Sequence, residues 1–164
     1  MVPPQTRPSE RVFARLDRPD GSTVLGSFPV VSTMPGIFTL LSNGQGPAVV
    51  LNQDKSLNTG ARPAARGSVI QIFATGAGAT NPPLAPGEAA PASGNPLVLT
   101  QVQPGVTIGG KTARVLFSGL APGFVGLWQI NAEVPRDVDT SPLFVELRII
   151  VAGNSSNAAT VAVQ

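Results

Sequence analysis

Cysteine, histidine and tyrosine are all absent from the 164 residues, and only 12% are charged. Without cysteine or histidine, ligation of zinc, haem or an iron–sulfur cluster by the usual side chains is excluded, as are Cys–His and Ser–His nucleophilic catalysis. Chemistry is left to nine carboxylates and the hydroxyls. No run approaches the roughly 18 apolar residues of a membrane span. The arginines stand singly rather than in a basic stripe interleaved with aromatics, which argues against a nucleic-acid partner. The net charge is only +2.

What is present is apolar and heavily punctuated. Hydrophobic residues make up 42% of the chain, enough for a core, and 18 Gly and 17 Pro separate short β-branched runs. That alternation of strand-like runs with turn residues is the signature of an all-β protein. Helix-compatible stretches such as residues 88–92 are too short and too close to proline to persist.

Two motifs invite sharper readings. "SVIQIFATGAGATNPP", residues 68–83, places Gly76-Ala77-Gly78 directly after a strand, as a dinucleotide-binding turn does. Such a site requires a helix N-terminus facing the phosphates. Asn81 stands where the third glycine belongs, and Pro82, Pro83 and the prolines of "LAPGEAAPASGNP" forbid the helix. The segment reads as a core strand leaving into an extended loop of about twenty residues, long enough to be an interaction surface. "NQDKSLN", residues 52–58, has oxygen-bearing side chains at Asn52, Asp54, Ser56 and Asn58, the spacing that opens a calcium loop. Leu57 then replaces the required glycine and Pro63 the closing glutamate, so a hairpin turn after residues 48–51 is the better reading. Asp137 and Asp139 in "PRDVDTSP" are a close carboxylate pair, but they read as a solvated Asx turn rather than a hydrolytic dyad. No catalytic, metal-binding or cofactor-binding residue is expected.

The strand pattern is clearest from residue 106 onward. Gly109-Gly110 has the length and composition of a tight hairpin turn between residues 106–108 and 112–117. "GLAPG" turns next. In residues 124–134, Phe124, Gly126, Trp128, Ile130, Ala132 and Val134 share one apolar face, and Trp128 is predicted as the core anchor. "LFVELRIIVAG", "NSSN" and "AATVAVQ" form a closing hairpin. Seven or eight strands after residue 34 predict an immunoglobulin-like antiparallel β-sandwich over residues 34–164. Most of the eight aromatics fall at apolar-face positions in this reading, against a carbohydrate platform.

Residues 1–33 stand apart. The arm "MVPPQTRPSE" is polar and proline-rich. It precedes a hairpin in which Val12, Ala14 and Leu16 alternate with Phe13 and Arg15, "RPDG" turns, and Val24, Phe28 and Val30 return. Pro29 suits a free edge or a strand end. A lone hairpin is marginal in water, so it docks either on its own sandwich or on a neighbouring copy. Val12, Phe13, Ala14 and Leu16 are the candidate assembly strand. No secretory leader follows Met1.

"LNQDKSLN", "PAARGSVIQIFATGAGATNPP", "VTIGGKTARVLFSGL" and "APGFVGLWQINAEVP", in that order, resemble the uncharacterised Solibacter-type C-terminal domain family, found at the ends of large secreted or surface proteins of acidobacteria and relatives. The likeness runs from about Met34 to Gln164, and the segment at residues 106–119 is similar to IPT/TIG-type modules. Lys55 departs from the glycine common in relatives. The resemblance implies an extracellular or cell-surface bacterial module without assigned activity or site residues. Residues 1–33 then read as the remnant of a preceding immunoglobulin-like unit or as an assembly strand. The expected role is a non-catalytic structural module whose partners are further copies or neighbouring domains, a surface fibre being one form. The alternative is an adhesion module for carbohydrate or protein.

Overall fold

Alternation of apolar and polar side chains makes both arms of the N-terminal segment extended. The computed structural model describes residues 8–164, so most of the proline-rich arm, residues 1–7, lies outside the described residues. β1 (Ser9–Asp17) and β2 (Thr23–Val30) form an antiparallel ribbon with Val12 opposite Phe28, Ala14 opposite Gly26 and Leu16 opposite Val24. The turn is closed by the Arg18 amide on the Ser22 carbonyl (2.8 Å) and the Gly21 amide on the Arg18 carbonyl (3.0 Å). Gly21 takes a φ of +84°, which favours glycine. This ribbon belongs to a unit ending at Ser32, and a second unit runs Thr33–Gln164.

The second unit is all-β and antiparallel, a single curled sheet of eleven strands. They are β3 (Gly36–Ile37), β4 (Val50–Leu51), β5 (Val69–Thr75), β6 (Thr80–Asn81), β7 (Leu99–Thr100), β8 (Gly105–Ile108), β9 (Lys111–Leu120), β10 (Trp128–Glu133), β11 (Phe144–Val151), β12 (Asn154–Ser155) and β13 (Ala159–Ala162). The main path is β12-β11-β8-β9-β10-β5-β3, with β13 on β11, β4 on β5, and β7 joining β6 to β9. β9 belongs to both wings of the curl. Its start, Lys111–Ala113, pairs with β8 across the Gly109-Gly110 turn, while its remainder pairs with β10. The wings close on one core in which Ile70, Ile72, Trp128 and Ile130 meet Val106, Ile108, Leu147 and Ile149. This is a β-sandwich.

Three departures from the sequence reading have physical causes. Eleven strands replace seven or eight because β3, β6, β7 and β12 are two residues long and carry no periodicity of their own. β10 begins at Trp128 rather than residue 124. Gly123 and Gly126 take φ of +82° and +63°, and the Ala121 amide bonds to the Leu127 carbonyl (2.8 Å), so residues 121–127 form a loop. Phe124, expected on the core face, is 57% exposed. The loop after β5 is also shorter than expected, since Thr80–Asn81 returns to the sheet against Leu99–Thr100. Gly76 is required at its start. A Cβ there would lie 1.7 Å from the Met34 carbonyl oxygen, and φ is +78°.

Candidate functional site

The polar loop at residues 52–58 is occupied by its own hydrogen bonds. Asn58, buried, donates to Asn52 Oδ1 (3.0 Å) and to the Ala162 carbonyl (2.9 Å), and its Oδ1 accepts the Ala162 amide (2.8 Å). Asn52 donates to the Arg62 carbonyl (2.9 Å), and Asp54 Oδ1 accepts both the Ser56 amide (3.0 Å) and the Ser56 hydroxyl (2.6 Å). Those Ser56 bonds hold the exposed Asp54 carboxyl below the usual carboxylate range. The side chains thus fix a turn and tie it to β13. Asp137 sits 3.1 Å from Lys111 Nζ at the surface, and Asp139 accepts the Ser141 amide in an Asx turn. Among the described residues, no group of three acidic side chains is placed to hold a metal ion.

Trp128 is fully buried, and its indole N–H donates to Ser118 Oγ (2.9 Å), which also bonds Thr100 Oγ1 (2.7 Å). The chain from β10 through β9 to β7 anchors the strand that returns after the long loop. Its polar atoms are satisfied inside the sandwich, which leaves Trp128 no ligand role.

Two surfaces are built differently. The first is the ribbon. Its register puts Val12, Ala14, Leu16, Val24 and Phe28 on one face, Val12 half-buried and the other four exposed, with Leu16 at 60%. On the opposite face Phe13 is 76% exposed, beneath the Arg11 guanidinium at 5.9 Å. Arg15 Nε and the Thr23 hydroxyl both donate to Asp17 Oδ1, at 2.8 and 2.7 Å. Thr23 first, then Arg15, lowers the Asp17 pKa from its ordinary range. The four candidate assembly residues therefore lie on both faces of β1, with Phe13 apart from Val12, Ala14 and Leu16.

The second surface was not anticipated. Phe73 faces outward from β5 beside Phe38 and Val49, and with Leu51, Phe124 and Leu127 it lines an open groove of about 960 Å³. Phe38 is 44% exposed. Aromatics were expected mostly on the core face, but Trp128 alone is buried and every phenylalanine is partly or fully exposed. Parity in "VIQIFAT" carried part of the signal, since Phe73 shares its face with Gln71 while Ile70, Ile72 and Ala74 turn inward. The rest of the groove comes from segments remote in sequence.

The outer strands differ as well. In the sandwich β3, β4, β6 and β12 are two residues each, and the outer edge of β13 is covered by amide–carbonyl bonds with Gly46, Ala48 and Ala64 at 2.8–2.9 Å. Among the described residues, the outer edges of β1 and β2 have no strand partner. No family model, curated protein or solved structure matches the chain.

Proposed function

We propose that this chain is a non-catalytic structural module of a bacterial exterior that self-associates by adding its N-terminal ribbon to a neighbouring copy. The observation that carries the reading is an apolar face on a two-stranded ribbon, with Ala14, Leu16, Val24 and Phe28 exposed and Val12 half-buried beside them. Such a ribbon is marginal in water until another strand or surface joins it. Main-chain bonding along a free edge is the mode of association that strand addition uses. Repeated head to tail it builds a fibre, and around a two-fold axis it closes at a pair. The extracellular location rests on the resemblance of the four sandwich motifs.

Replacing both Val12 and Leu16 with lysine tests the reading. Sedimentation and negative-stain microscopy of the parent chain at rising concentration are expected to give pairs or fibres, and the variant monomers. Trp128, the only tryptophan, reports the sandwich alone, and its urea midpoint is expected to change by no more than about 0.5 kcal/mol equivalent. A parent chain that stays monomeric, or a variant that assembles equally well, overturns the proposal.

The aromatic groove supports a second reading, adhesion to carbohydrate or protein, since Phe38, Phe73 and Phe124 offer exposed apolar area beside one another. Glycan-array binding by the parent, lost when Phe124 becomes serine, is the result expected of it.

A further inference from the structure

We infer that the partner of β1 is β1 of a second copy, paired antiparallel about a two-fold axis at Ala14. The inference rests on the self-association proposed above and names its contact. Edge availability selects the strand. Sandwich edges among the described residues are two residues long or already bonded, so they offer little ladder to an incoming strand. β2 carries Pro29, which has no amide hydrogen to give a ladder. β1 has no proline in its nine residues, and past an irregularity between Ser9 and Val12 it holds unbroken register with β2 from Val12 to Asp17.

Side-chain chemistry selects the register. With Ala14 on the axis, Val12 faces the second copy's Leu16, Phe13 faces its Arg15, and Arg11 faces its Asp17, each contact occurring twice. Arg11 lies on the Phe13 face of β1, over that ring, and Asp17 takes both of its hydrogen bonds on Oδ1. Centring the pair on Phe13 instead sets Arg11 against Arg15 twice, and like charges directly opposite are unfavourable. A slip of half a step sets the apolar face of one strand against the charged face of the other. The Ala14 register alone combines opposite charges, matched faces and aliphatic pairs. It yields a four-stranded sheet, β2-β1-β1-β2, above the minimum at which a sheet with one apolar face becomes stable. The contact is isologous and closes at two copies.

The chain has no cysteine, so a single introduced one is a clean reporter. Ala14→Cys places the two thiols directly opposite each other, within reach of a disulfide. Gly26→Cys is the control. It sits on β2 opposite Ala14, a Cβ there meets nothing within 4 Å, and three strand spacings of about 4.8 Å separate it from its counterpart, beyond disulfide reach. Under mild oxidation Ala14→Cys is expected to form covalent dimer at least about tenfold faster than Gly26→Cys. Arg11→Asp is expected to weaken dimerisation about tenfold, since two favourable cross-strand pairs become repulsive. Self-association of the parent with equal cross-linking at both positions overturns the β1 pairing and keeps the assembly reading. A parent chain that sediments as a monomer at all concentrations overturns both.

Discussion

β5 and β1 carry the same alternation, Ile70, Ile72 and Ala74 in one and Val12, Ala14 and Leu16 in the other. In β5 those three side chains are fully buried, because β10 flanks one side, β3 and β4 flank the other, and the second wing of the curl packs above. In β1 Ala14 and Leu16 are exposed and Val12 is half-buried, and among the described residues β2 alone lies beside them. A period of two therefore specifies which face of a strand is apolar and leaves open what covers it. The sandwich covers its face with its own chain. On the ribbon the same pattern is left to solvent, and in the proposed assembly a second copy would cover it.

The comparison breaks most visibly inside the sandwich. Trp128→Ala removes the largest buried side chain and leaves Ser118 Oγ without its indole donor, so a loss of about 3–5 kcal/mol is expected in urea unfolding followed by far-UV circular dichroism. A loss under about 1 kcal/mol would mean that the two wings do not share a core. Asn58→Ala comes next. It strips two donations and one acceptance from the junction of the 52–58 loop with β13, so the buried Ala162 amide loses its partner while the Ala162 carbonyl keeps the Ala64 amide. A loss of about 2–3 kcal/mol is expected by the same assay. Added calcium is expected to leave that figure unchanged, whereas a calcium-dependent midpoint in the parent would restore the cation reading of this loop. Neither variant is expected to alter self-association, the counterpart of ribbon variants that leave the sandwich unchanged.

How much of this was legible follows from where each signal resides. β5, β8, β9, β11 and β13 announce themselves through β-branched alternation, and Gly109-Gly110 announces its turn, because both are properties of neighbouring residues. Trp128 was placed correctly in the core by parity with Ile130 and Ala132. The same parity carried too far placed Phe124 inside, although Gly126, two residues before Trp128, already broke the strand with a positive φ. Thr80–Asn81 and Gly36–Ile37 exist only because distant strands receive them, so no local pattern marks them. The aromatic groove was hidden for the same reason, being gathered from residues 36–51, Phe73 and residues 124–127. The polar residues of the 52–58 loop were recognised, but their tie to Ala162 is a contact across 104 positions.

The smallest effect separates two carboxylates that look alike. Asp17 in the ribbon and Asp54 in the sandwich are both exposed, and a hydroxyl is the first cause of a lowered pKa in each, Thr23 for one and Ser56 for the other. A folded pKa below the unfolded one means that the contribution is complete above the unfolded value, about 3.9, and disappears as pH falls through the folded value. Both contributions are thus constant from neutrality to about pH 4 and are lost below it. Their structural reach differs. Asp17 bonds across to β2, holding the turn end of the ribbon in register, whereas Asp54 bonds only within its own loop. Carboxyl titration by NMR is expected to place both midpoints below the ordinary range. Thr23→Val is expected to raise that of Asp17 and to shift amide resonances along β1 and β2. Ser56→Ala is expected to raise that of Asp54 and to disturb only residues near the loop. Equal spread of the two perturbations would mean that the ribbon is held by its turn alone, and the cross-strand role of Asp17 would fall with it.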